Sequence, residues 1–174
     1  MPNLAALAAI LVAQLASPAP GASPAAPAPA SAPAPGPAPS FAPLPIHVAI
    51  DAATFRDLPR RSIDATDEHG KTSHYDGIAL RDILTKANVP GGHAIRGPAM
   101  LDVVVVAAAD GYRVVFDLPE LDPAFTDRVI LLADMRDGVP LSAHDGPYQL
   151  IVPGDKHQAR WERQVVALDV ERIP

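Results

Sequence analysis

A regular pattern of apolar and polar positions starts at Ile46 and continues to Ile173. Ile46–Ile50 (IHVAI) alternates as a short strand, and Asp51 stands where an N-cap would open a brief helix through Leu58. Arg61–Thr66 and Lys71–Tyr75 read as two strands flanking Asp67-Glu68-His69-Gly70, a hairpin turn. Across Ile78–Val89 the apolar residues Leu80, Ile83, Leu84 and Ala87 repeat at i, i+3, i+4 and i+7, which predicts an amphipathic helix ended by Pro90-Gly91-Gly92. Leu101–Ala108 is a continuous apolar run and predicts a buried strand; Asp110-Gly111 then turns the chain into a partner strand, Tyr112–Phe116. Three more strands are expected at Val129–Asp134, Tyr148–Val152 and Gln164–Val170, with turns at Asp137-Gly138 and Pro153-Gly154. Strands outnumber helices and are joined mostly by short turns. The class expected is α+β, with a mixed, largely antiparallel sheet and a few short helices.

Upstream of this pattern the chemistry changes completely. Met1–Pro45 carries no charged side chain, so all 20 acidic and 14 basic residues of the 174-residue chain lie beyond it. Leu4–Ala16 is an apolar run too short to span a bilayer as a helix, and residues 1–16 read as a secretory signal peptide. No Lys or Arg precedes the run, which points to a start upstream of Met1. Ser17–Pro45 holds 11 prolines among Ala, Gly and Ser. It offers nothing to bury and predicts a disordered, polyproline-like linker. The folded domain is therefore expected over residues 46–174, in the periplasm. The net charge of −6 argues against nucleic acid as a partner. The absence of cysteine excludes disulfides, thiolate nucleophiles and iron–sulfur clusters.

Few residues carry candidate chemistry. His47 and His93 are isolated, and His69 and His74 lack a third ligand nearby, so no metal site is expected. Ser142 has no nucleophile elbow around it, and no phosphate-binding glycine motif occurs. The densest polar cluster is His144-Asp145-Gly146-Pro147 with Pro153-Gly154-Asp155-Lys156-His157-Gln158-Ala159-Arg160-Trp161-Glu162-Arg163. It brings the only Trp next to an Arg directly after a strand, a combination suited to a flat heterocycle. Trp161 would stack on the ring, Arg160 or Arg163 would donate to its oxygen, and Asp155 or Asp134 would accept a paired N–H/NH2 edge. The competing reading makes Trp161 a core plug and the arginines a solvated rim.

Tyr75-Asp76-Gly77-Ile78-Ala79-Leu80-Arg81-Asp82-Ile83-Leu84 reads aromatic-x-G-hydrophobic-x-L-x-D-hydrophobic-L. After it come Asp110-Gly111-Tyr112, then Leu132-Ala133-Asp134 with Asp137-Gly138-Val139-Pro140-Leu141, then His144-Asp145-Gly146-Pro147. Ile151-Val152-Pro153-Gly154 follows, with Ala159-Arg160 and Arg163 beyond it. In this order the five stretches resemble the sulfite-oxidase-type molybdopterin-binding domain over nearly all of residues 46–173. The departures bear on function. The family's oxidoreductases ligate molybdenum through a cysteine before the first motif; here that interval shrinks to Ile63–His74 and no thiol exists. Gln149 stands where the family has an arginine. Molybdenum chemistry is therefore not expected, and the chain is most similar to a small, exported, cysteine-less subgroup of periplasmic pterin-binding proteins.

The resemblance implies a periplasmic protein that binds a reduced pterin (a tetrahydropterin), has no catalytic residue, metal or covalent cofactor, and relays ligand status to a membrane-anchored signalling partner. Trp161, Arg160 and Arg163 would hold the ligand, Asp134 or Asp155 would read its pyrimidine edge, and His144 and Tyr112 would line the opposite wall. Two alternatives stand beside it. One is a molybdopterin-cofactor-binding oxidoreductase subunit, with an oxygen ligand such as Asp64 or Asp67 in place of the thiolate. The other is a ligand-free protein–protein interaction module in which Trp161 is core. If Arg160 and Trp161 both face a site, Asp155–Arg163 must be non-strand, because consecutive strand residues point to opposite faces.

Overall fold

The computed structural model describes residues 43–174, so the expected signal peptide and nearly all of the Pro/Ala-rich linker lie outside the described residues. In chain order the elements are β1 (Ile46–Ala49), α1 (Ala52–Arg56), β2 (Arg60–Thr66), β3 (Thr72–Ala79), α2 (Leu80–Lys86), β4 (Asp102–Ala108) and β5 (Arg113–Asp117). Then come β6 (Leu131–Arg136), β7 (Val139–Pro140), β8 (Gln149–Ile151) and β9 (Val165–Arg172), with short 3-10 turns between several of them. Two sheets result. One has the order β1-β9-β4-β5; the other runs β2-β3-β6-β7, with β8 also paired to β6. The α+β class holds, but the single mixed sheet of the sequence reading is replaced by two sheets in which every described pairing is antiparallel.

The turn signals act where the sequence places them. Gly111 has φ 88° and Asp110 Oδ1 accepts the Tyr112 N–H at 2.9 Å, closing the β4–β5 hairpin. Asp137 and Gly138 both have positive φ (53° and 79°), the conformation a two-residue hairpin between β6 and β7 requires. The helix expected from Ile78 starts two residues later. Ile78 and Ala79 instead pair with Leu132 and Leu131, and the sheet wins because Gly77 lets β3 approach β6 closely. A Cβ on Gly77 would lie 2.1 Å from Leu132 O, beside a register shift that only a residue without a side chain accommodates. Asn88, at φ 60°, ends the helix at its other end.

One core joins the two sheets. Val104 and Val106 of β4 are buried while Val103 and Val105 between them are only half-buried, so the continuous valine run buries one face, not two. Phe116, Leu168 and Val170 complete that side; Ile78, Leu132, Leu150 and Ile151 come from the other sheet, and Leu80, Ile83 and Leu84 cap the core from α2. Among the described residues, no helix is long and apolar enough to cross a membrane.

Candidate functional site

The segment from the end of β8 to the start of β9 carries most of the predicted site, and it is non-strand as expected. It leaves β8 through Pro153-Gly154 (Gly154 φ 85°), makes one 3-10 turn at Gln158–Arg160, and enters β9 after Gln164 at φ 50°. Gln164 donates its side-chain amide to Ala143 O at 3.1 Å, which fastens the segment to the His144 loop. Arg160 and Trp161 separate at the end of the 3-10 turn, one staying at the surface and the other entering the core.

Trp161 is 4% exposed. Its indole N–H donates to Val152 O at 2.9 Å, and its ring meets Tyr75 edge-on with centroids 5.9 Å apart. No open ring face remains, so the expected stacking role of Trp161 is corrected: it backs the site as a core residue. Arg160 lies over the Phe116 ring at 4.9 Å, donates to Asp155 through Nε and Nη2 (both 2.8 Å), and to Glu120 through Nη1 (3.0 Å). Arg128 bonds the same two carboxylates. Two guanidiniums and two carboxylates thus neutralise one another, and the bonds from Asp155 and Glu120 hold the Arg160 guanidinium firmly charged. Asp134 is likewise engaged, receiving both Nη groups of Arg60 at 3.0 and 2.5 Å. The expectation that Arg160, Asp155 and Asp134 present free groups to a ligand is corrected by these pairings.

Arg163 and His144 do meet, with Arg163 Nη1 3.2 Å from His144 Nε2. Both converge on Asp145, whose Oδ1 is 2.9 Å from His144 Nδ1 and 3.4 Å from Arg163 Nε. Burial acts against ionisation of Asp145, yet hydrogen bonds from His144 and Ser142 and the nearby Arg136 and Arg163 hold its carboxyl below the ordinary range.

Beside this loop is a depression of about 260 Å³, lined by Asp110, Tyr112, Gln158, Trp161, Glu162 and Arg163 among others. It gathers three predicted residues (Tyr112, Trp161 and Arg163) and leaves Arg160, Asp155, Asp134 and His144 off its wall. Tyr112 is 52% exposed and donates its O–H to Ala159 O at 3.0 Å, so the aromatic face open to a ligand is this phenol.

The residue that sequence reasoning missed is Glu162, which looked like part of a solvated charge run. It is 3% exposed, and neither carboxylate oxygen has a hydrogen-bond partner. Its main chain explains why it turns inward: Glu162 O accepts the Leu150 N–H at 2.7 Å, joining the segment to β8 and directing the side chain under the depression. Burial pushes its carboxyl up to about 7 from the ordinary 4.5; the Asp110 charge adds to the rise, and the Ala108 amide only softens it. The one signal available in sequence was its place between Trp161 and the first residues of a strand.

A second cavity, about 200 Å³, lies between α2 and residues 121–130. Its walls are mostly apolar and its arginines are bonded: Arg61 to Asp82, Arg81 to Val89 O and Pro90 O, and Arg128 to Glu120 and Asp155. It contains none of the predicted site residues.

The donor set does not fit a molybdenum centre. There is no thiolate; Asp64 is bonded to His74 at 2.7 Å, and Asp67 accepts the His69 and Lys71 amides of its own turn at 2.9 Å each. Gln149 is buried with its Oε1 unpartnered. Among the described residues, no three metal-capable side chains come together. The fold and site thus define a small α+β domain that carries a polar-walled depression beside the β4–β5 turn. No protein-family model matches the chain, and no curated protein matches it either.

Proposed function

We propose that the chain is a binding protein for a reduced pterin, with no bond-making chemistry of its own, and that the ligand lies against Tyr112 in the depression above Glu162. The observation carrying this reading is the convergence of Tyr112, Trp161, Glu162 and Arg163 on one space of about 260 Å³. An exposed phenol offers a plane, a half-exposed guanidinium offers donors to a ring oxygen, and a carboxylate lies beneath. The volume suits a single bicyclic ring better than a larger ligand. The sulfite-oxidase-like order of motifs supports the same ligand class. Leu4–Ala16 and the Pro/Ala-rich segment support export and a tethered domain that presents its ligand state to a membrane-anchored partner.

The test is anaerobic calorimetric titration of the full chain with tetrahydrobiopterin. Calorimetry is preferable to fluorescence because the only Trp is buried. Saturable one-to-one binding at micromolar concentration is expected; no heat up to about 1 mM, a free energy near −4 kcal/mol, rejects the reading. A ligand-free interaction module is the second reading, favoured by the burial of Trp161 in the core. It expects Trp161→Phe to lower stability without any ligand phenotype.

A further inference from the structure

We infer that Glu162, rather than Asp134 or Asp155, is the carboxylate that receives the ligand's paired N–H donors, and that it takes them in exchange for its own proton. The inference rests on the pterin reading of the same depression and specifies how that ligand is recognised.

The argument begins from an anomaly. Asp134 is paired with Arg60, Asp155 with Arg128 and Arg160, and neither lines the depression, so a ligand edge there would compete with an existing ion pair. Glu162 has the opposite problem: it is buried, and both oxygens lack a partner. Folded proteins seldom leave a buried polar group unpaired, and a carboxyl with both oxygens unpartnered at the wall of a depression calls for a donor. The surroundings do not supply one. From the β4–β5 turn comes Asp110, an anion; from the end of β4 comes the Ala108 amide, already donating to Tyr112 O at 3.0 Å. The neighbouring cations in its own segment point elsewhere, Arg163 to Asp145 and His144, Arg160 to Asp155 and Glu120. Tyr112 spans the depression to Ala159 O.

What would satisfy this carboxylate is a rigid edge with two parallel N–H donors and no acceptor opposite it. A 2-amino-4-oxopyrimidine presents that edge in its ring N–H and exocyclic NH2. A protonated carboxyl offers an O–H where a second acceptor is needed, so the proton must leave for solvent as the two N–H···O bonds form. Both oxygens are shut from solvent although Glu162 lines the depression, so the ligand edge must displace part of that wall to reach them. Uptake is therefore proton-coupled and selects 2-amino over 2-oxo ligands.

The experiment is anaerobic calorimetry of the full chain with tetrahydrobiopterin in buffers of different ionisation heat. Release of close to one proton is expected at about pH 6 and almost none at about pH 8.5, with affinity about tenfold lower at the acid end. Glu162→Gln, with one acceptor oxygen and an NH2 set against the ligand's second donor, should bind at least tenfold more weakly, and what binding remains should release no proton and show a flat pH profile. A tetrahydrolumazine, with oxygen in place of the 2-amino group, should bind the wild-type chain at least tenfold more weakly. If Glu162→Gln does not fold, the wild-type infrared difference spectrum decides instead: ligand added at about pH 6 should remove a protonated-carboxyl C=O band. Pterin binding without proton release, or with that band unchanged, overturns the role of Glu162 and leaves the pterin reading standing. Absence of binding at every pH overturns both.

Discussion

Replacing Glu162 by Gln tests the buried carboxylate without any ligand, through the pH dependence of folding. In the folded chain burial holds this carboxyl up to about 7, whereas in the unfolded chain it titrates at its ordinary 4.5. Between these values the native state binds more protons than the unfolded state, so this group's contribution falls as pH rises and levels off above about pH 7. The displacement corresponds to about 3 kcal/mol, because one pKa unit is worth about 1.36 kcal/mol. The glutamine side chain is a neutral isostere that never ionises. At about pH 4 the two proteins should be nearly equal in stability, since both side chains are neutral there. At about pH 8 the variant should be more stable by about 3 kcal/mol, roughly a 10 °C rise in Tm for a domain of this size. Asp67, Asp137 and Asp145 act in the opposite sense. Their carboxyls are held below the ordinary range, so the stability they add is present above that range and lost as pH falls. They are common to both proteins and cancel in the difference. Urea unfolding of wild type and variant across this pH range is the assay. Curves that stay parallel in pH would refute the claim that Glu162 is buried without a partner.

Three further outcomes follow from the packing. Trp161→Phe removes the N–H bond to Val152 O and part of a filled volume beside Tyr75, and should cost about 2 kcal/mol in urea unfolding while the fold is kept. Arg160→Ala leaves Asp155 and Glu120 to Arg128 alone; because the group is partly exposed, a loss of only about 1 kcal/mol is expected, shrinking in high salt, with pterin affinity unchanged. Gly77→Ala drives a methyl into Leu132 O and should cost about 3 kcal/mol or more, seen as loss of the cooperative melting transition or of soluble protein.

What the sequence disclosed follows the range of the interactions involved. Asp110-Gly111 and Asp137-Gly138 were legible because a turn is decided by two or three adjacent residues, and their backbone angles are those the dipeptides favour. The start of α2 was misplaced because the Leu80-Ile83-Leu84-Ala87 repeat does not mark where the helix begins, and Ile78 and Ala79 before it pair with Leu132 and Leu131, more than fifty residues away. The split into two sheets has the same origin: β1 finds its partner in β9, across most of the domain.

At the candidate site the same logic separates Arg160 from Glu162, two charged residues on either side of Trp161. Arg160 remains outside because Glu120, contributed by a turn forty residues earlier, completes its ion-pair cluster. Glu162 goes inside where the Leu150 amide of β8 takes its carbonyl, fixing the main chain beside the core between the buried Trp161 and Val165. Neither partner is visible within the charge run itself, so a run of alternating charges cannot reveal which member is buried. That Tyr112 and Arg163 lie at the surface was readable, because each stands beside a turn. The carboxylate was not, because its place is marked by what fails to contact it: the nearby cations are already paired and Asp110 lies alongside, so Glu162 is left with both oxygens unpartnered, the vacancy on which the proposed donor edge rests.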